Sequence, residues 1–147
     1  MASVKSVNNT LTTATPIVQL DSEVSGGKLR VANDSYEAAS LASGSDITMM
    51  TIPKDATIID VILKCDALGG SSTLIVGDAA DDNRYLAAVG TWNAAGQVQS
   101  MLGGSTAANT AMTGLGFRTT AATDIVITTG GATISGSIHL TVYYTVE

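Results

Sequence analysis

Apolar and polar residues alternate with a period of two over much of the chain. The longest regular run sets Ile138, Leu140, Val142, Tyr144 and Val146 against Ser137, His139, Thr141, Tyr143 and Thr145. Successive side chains of an extended chain point to opposite faces, so this run predicts a strand with one dry side. A second run puts Thr57, Ile59, Val61, Leu63 and Cys65 on the expected core face and Ile58, Asp60, Ile62 and Lys64 on the other. Pro53 ahead of it suits a strand entrance. Leu68-Gly69-Gly70-Ser71 behind it suits a loop that returns the chain antiparallel through Leu74 and Val76. Asp46–Ile52 alternates Ile47 and Met49 against Thr48 and Met50, and its β-branched residues favour a strand. Asp124–Thr129 predicts a strand ending at Gly130-Gly131, a hairpin dipeptide able to take positive φ, with Gly136 placed to bulge or bend the return.

Other stretches are less regular. Lys28–Ala32 reads as a short strand, whereas Ser35–Leu41 suits a strand or a helical turn. Gly77–Asn83 reads as a polar turn, and Arg84–Gly90, extended by Thr91-Trp92, leans to strand. The stretch from Asn93 to Gly116 exceeds the about 12–15 residues of an ordinary structureless loop, which predicts a cryptic strand or a protruding excursion. Residues 1–27 are rich in Asn, Thr and Ser around Ile17-Val18-Gln19-Leu20. They predict an extended N-terminal arm with a short strand inside, because so little apolar surface does not offset the entropy of ordering. The body, residues 28–147, is then one domain. Eight to ten short strands, frequent turn signals and no helix long enough for a parallel crossover give an all-β class, an antiparallel β-sandwich of jelly-roll-like form.

Composition adds constraints. Of 147 residues 45% are hydrophobic but only 4% aromatic, so the core must be built from Val, Ile, Leu, Ala and Met. A formal net charge of -6 with seven scattered Lys and Arg opposes a nucleic-acid surface, whose affinity comes from basic residues displacing counterions. No apolar run reaches the roughly 18 residues of a membrane span, and the first residues carry no apolar signal-peptide block, so a soluble, non-secreted protein is expected. The lone Cys65 fits synthesis in a reducing cytoplasm.

Candidate chemistry is sparse. His139 is the sole histidine and has neither Cys nor a second His for a zinc site, so it reads as a surface or interface residue. Asp78, Asp81 and Asp82 form the densest carboxylate group, yet lack the order of an EF-hand loop and read as a solvated turn. Asp60 likewise reads as a solvent or interface group. No Gly-x-Ser-x-Gly elbow accompanies the histidine, and none of the Gly-Gly pairs opens a helix or precedes Lys-Ser/Thr, so no catalytic, cofactor or metal residue is assigned. Tyr36, Trp92 and Tyr143 are candidate interface anchors, since flat aromatics give large contact area at small entropic cost. The same rings would serve a carbohydrate- or receptor-binding module of a head fibre or tail, the alternative function.

Three pieces carry a family resemblance. Leu29-Arg30-Val31-Ala32-Asn33-Asp34-Ser35-Tyr36-Glu37-Ala38 leads to Met49-Met50-Thr51-Ile52-Pro53. Thr73-Leu74-Ile75-Val76-Gly77-Asp78-Ala79-Ala80-Asp81-Asp82-Asn83-Arg84-Tyr85 follows, and the ending runs from Gly114-Leu115-Gly116-Phe117 through Tyr143-Tyr144. Taken together they resemble capsid decoration, or cement, proteins of tailed bacteriophages and related small head proteins. The resemblance implies a sandwich on the outside of an icosahedral virion shell, commonly a homotrimer, bridging neighbouring major capsid protein subunits. It brings no catalytic residues.

Overall fold

The computed structural model describes residues 14–16, 28–88, 92–103 and 113–146. Most of the expected arm, its strand at Ile17–Leu20 included, lies outside the described residues. Within them the chain forms eight strands: β1 (Leu29–Leu41), β2 (Asp46–Ile52), β3 (Ala56–Cys65), β4 (Thr73–Asp78), β5 (Asp81–Leu86), β6 (Gln97–Ser100), β7 (Thr123–Gly130) and β8 (Ile134–Val146). They make two antiparallel four-stranded sheets, ordered β1-β8-β3-β6 and β2-β7-β4-β5. The pairs β1 with β8, β2 with β7, β3 with β6 and β4 with β5 are nested, as in one long hairpin rolled up into a sandwich.

The aliphatic faces of the two sheets meet in one core. Val61, Leu63, Ile138, Leu140 and Val142 from the first sheet face Ile52, Leu74, Val76, Ile125 and Ile127 from the second, all buried. The alternating runs of β7 and β8 place these residues inward as their period predicts. The segment from Ser35 to Leu41, open between strand and helical turn, is strand: β1 runs for 13 residues along the equally long β8, with a register shift between Ala38 and Leu41. The long loop after Asn93 does hold a strand, β6, which pairs with Ile62–Cys65 of β3.

Two expectations are corrected. In β3 the inward residues are Ala56 and Ile58, then Val61, Leu63 and Cys65; Thr57 and Ile59 are not core residues. The ladder with β8 passes from Ile58↔Tyr144 directly to Asp60↔Tyr143, so Ile59 is an extra residue. A bulge of this kind reverses the facing of everything before it, which an unbroken period-two reading misses. The second correction concerns the polar turn. It is only Ala79 and Ala80, and Asp81 already begins β5.

The parity of β3 has a measurable consequence. Ile58→Ala, at a fully buried position, should cost about 2–5 kcal/mol in denaturant unfolding. Ile59→Ala, at the half-exposed bulge, should cost clearly less; equal losses would contradict the register.

Candidate functional site

The densest polar constellation lies where β4 turns into β5. From Val76 to Asp78 the ladder takes two steps on β4 while β5 takes five, from Leu86 back to Asp81. The surplus residues bulge, and the bulge swings Arg84 and Tyr85 back toward Asp78. The Asp78 carboxylate, 6% exposed, accepts from Arg84 Nε at 2.6 Å and Nη2 at 3.4 Å, from Tyr85 Oη at 3.2 Å, and from the amides of Ala80 and Asp81 at 3.0 and 3.1 Å. Gly77 is required beneath it, because a Cβ there would run into the backbone of Asp82. Asp78 is therefore no solvent or interface group, in contrast to the sequence expectation. Its hydrogen-bonding capacity is spent inside the chain.

Electrostatics follow this geometry. Burial by itself would raise the Asp78 pKa, but the Arg84 hydrogen bond and charge and the two amides outweigh it and leave the carboxyl below its usual value. For Arg84 burial is again opposed by Asp78, and the guanidinium is held more firmly protonated than usual. Burial and the neighbouring Asp78 carboxylate both push the Tyr85 hydroxyl up.

From this cluster a tie runs to the other sheet. The Arg84 guanidinium lies 4.0 Å over the Phe117 ring, and Tyr85 meets that ring edge-on at 6.5 Å. Phe117 C=O accepts from Ile58 N–H at 2.9 Å, and Gly116 N–H donates to Ile58 C=O at 2.9 Å. Two residues on, Thr119 Oγ1 donates to Pro53 C=O at 2.7 Å and accepts from Ala56 N–H at 2.9 Å. Residues 113–119 thus stitch β5 of one sheet to the start of β3 in the other. Gly114 lets them approach: a Cβ there would lie 2.7 Å from the Arg84 carbonyl oxygen and the Tyr85 ring. Arg84, Tyr85 and Phe117 were not singled out together from the sequence. The signal available was an acid and a base flanking one turn, Asp78 and Arg84.

The remaining candidates are dispersed. Asp81 borders the Arg84 guanidinium at 4.0 Å while Asp82 is exposed, and among the described residues no group of three acidic, His or Cys side chains is arranged to hold a metal ion. Asp60, expected to be free for solvent or a partner, is half-buried and accepts from Ser100 Oγ at 2.8 Å and Leu102 N–H at 3.1 Å, fastening the end of β6. His139 is exposed on the outer face of the first sheet, opposite Lys64 and Ser35. Beside it Asn33, Ile62, Val98 and Thr141 line a shallow depression of about 420 Å³. Among the described residues no hydrogen bond joins His139 to a hydroxyl or carboxylate. Tyr143 is half-exposed on that same outer face, and Tyr36 is 38% exposed on β1. Trp92 is different: at 4% exposed it belongs to the core, with no ring face left for a sugar or a partner.

No family model matches the chain, and no curated protein sequence does. Solved structures do share its fold. A chain of the cyanophage Pam1 capsid asymmetric unit is 23% identical with a TM-score of 0.65, covering 82% of this chain and 86% of that one. A chain of the capsid of Ralstonia phage GP4 is 20% identical with a TM-score of 0.61 over 82% and 86%. A third, from the acidic stable capsid structure of Helicobacter pylori bacteriophage KHP30, is 12% identical with a TM-score of 0.58 over 80% and 87%.

The buried pair makes two predictions. Asp78→Asn removes one charge of a buried ion pair and should cost about 3–5 kcal/mol in denaturant unfolding. Because the folded pKa is depressed, the stabilisation is complete above the unfolded carboxylate value of about 3.9 and is lost as pH falls from there through the folded value. The acid limb of the stability profile should accordingly flatten in Asp78→Asn. Separately, burial, with a smaller push from Asp66, raises the Cys65 thiol to about 12. A thiol reagent at pH 8 should leave the native protein unlabelled and modify it only on unfolding.

Proposed function

We propose that the chain is a virion structural protein, a decoration or cement protein seated on the outer surface of an icosahedral phage head and strengthening contacts between major capsid protein subunits. The observation that carries this reading is the fold, shared over at least four-fifths of both chains with components of phage capsid structures. The resemblance of the chain between Leu29 and Glu147 to head decoration proteins points the same way. The arrangement of side chains agrees with it: Asp78, Asp60 and Thr119 spend their hydrogen bonds on holding strands and loops together. In this reading residues 1–27 are an arm and residues 28–147 the body, and the arm and one sheet edge grip the junctions between capsid subunits. Tyr36 and Tyr143, both accessible, are the contact aromatics, whereas Trp92 holds the body together.

Shells stripped of this protein should lose resistance to heat and regain it when the protein is added back. Equal thermal release of the shell contents with and without it would refute the stabilising role. Tyr36→Ala and Tyr143→Ala should lower occupancy on the shell while leaving unfolding of the isolated protein nearly unchanged, and Trp92→Ala should destabilise the isolated protein itself.

A further inference from the structure

The outer face of the first sheet uses its polar side chains differently from the buried clusters. Cross-strand register sets six residues there in two adjacent rows. Asn33 of β1, Thr141 of β8 and Ile62 of β3 stand side by side in one, and His139 of β8, Lys64 of β3 and Val98 of β6 in the next. Directly opposed Cβ atoms of antiparallel strands lie about 4.5–5.5 Å apart, so the side chains of both rows can converge on one small ligand. Half-buried Ile62 and Thr141 floor the depression of about 420 Å³, and the exposed Asn33, Lys64, Val98 and His139 wall it. Asp66 closes one end, its N–H donating to Ser137 C=O at 3.0 Å one step beyond β3. The volume falls within the roughly 300–1,000 Å³ of ligand clefts.

The chemistry of the lining narrows what such a depression can hold. Among the described residues none of Asn33, Lys64, Asp66, His139 and Thr141 engages its side chain in a hydrogen bond or an ion pair. The carboxylates of Asp60 and Glu37 nearby are different, since Ser100 Oγ and Ser137 Oγ donate to them. The Lys64 ammonium only donates and the Asp66 carboxylate only accepts, whereas Asn33, His139 and Thr141 can do both. Lys64 and Asp66 offset one another, so the set singles out neither a phosphate nor a carboxylate. An extended peptide finds no backbone to pair with, because β3 and β8 are interior strands with a neighbour on each side. A neutral sugar ring meets these conditions. Its hydroxyls both donate and accept, and its C–H face is apolar, as Ile62 and Val98 are.

We propose that this depression is a binding site for a neutral saccharide, one ring resting on Ile62 and Val98 with its hydroxyls bonded to the side chains of Asn33, Lys64, Asp66, His139 and Thr141. Asp60 contributes at a distance: by fastening the end of β6 it keeps Val98 opposite Lys64. No aromatic ring lines the depression, so the contact is weak and lies in the millimolar range. Saccharide binding is a function additional to the capsid role and does not rest on it.

The test is a titration of the isolated, isotope-labelled full chain with maltose, cellobiose, lactose and diacetylchitobiose, each to about 100 mM, followed by amide NMR shifts. At least one sugar should saturate, with the shifts concentrated on Asn33, Ile62, Lys64, Val98, His139 and Thr141. Asn33→Ala and Lys64→Ala should each weaken binding about fivefold to tenfold, and Val98→Glu, which puts a charge on the apolar wall, should abolish it. All three positions are exposed, so thermal unfolding should stay nearly unchanged. Glucose and glucuronate, compared directly, should bind alike; a markedly tighter glucuronate would mean that Lys64 reads a carboxylate, which overturns the neutral-saccharide assignment. The proposal also falls if no sugar shifts these amides, or if the shifts survive all three substitutions. No shell enters the measurement, so its failure leaves the capsid reading untouched, and failure of that reading leaves this site untouched.

Discussion

Asp78 accepts five hydrogen bonds at the bend between β4 and β5, and the alignment of the two sheets at that end depends on it. An ionised carboxylate this deeply buried is tolerated only with its oxygens fully engaged. The chain meets that demand by bulging β5 so that Arg84 and Tyr85 fold back over the turn. Once there, Arg84 offers the Phe117 ring a cation, and Phe117 in turn fixes the backbone of Ile58. One carboxylate thus determines the path of a strand, the seat of a loop and the closure of the sandwich at one corner.

The other polar clusters work the same way on a smaller scale. Asp60 fastens the end of β6 through Ser100 and Leu102, and Thr119 ties the start of β3 to the crossing loop. With so few aromatics, the core is made of branched aliphatics that pack closely but carry no directional bonds. Directionality comes instead from carboxylates and hydroxyls placed where strands end. Among the described residues the outer face around His139 carries no such buried cluster.

Much of this architecture was legible in the sequence because strands speak through period two. β7 and β8 read directly, since neither contains an extra residue along its inward-facing run from Ile125 to Ile127 or from Ile138 to Val142. β3 misled before Val61 because one inserted residue, Ile59, carries no compositional mark. β5 misled for another reason: Asp81, Asp82 and Asn83 are poor strand formers, and only the pull of Asp78 on Arg84 overrides their preference for turns. The partners of Asp78 were hidden because Phe117 lies more than thirty residues from Arg84, a distance no local pattern spans. Trp92 looked like a contact residue because exposure is a tertiary property, and a solitary aromatic among small residues gives no sign of the pocket that receives it.

That pocket gives the protein a reporter of its own. Trp92 is the single tryptophan, its backbone is clasped by Leu68 and Ser72, and among the described residues its buried indole N–H meets no acceptor. A ring so shielded emits at short wavelength and shifts to the red when water reaches it. The ultraviolet fluorescence of the intact chain therefore follows the opening of the sandwich interior, with no dye attached and no competing indole.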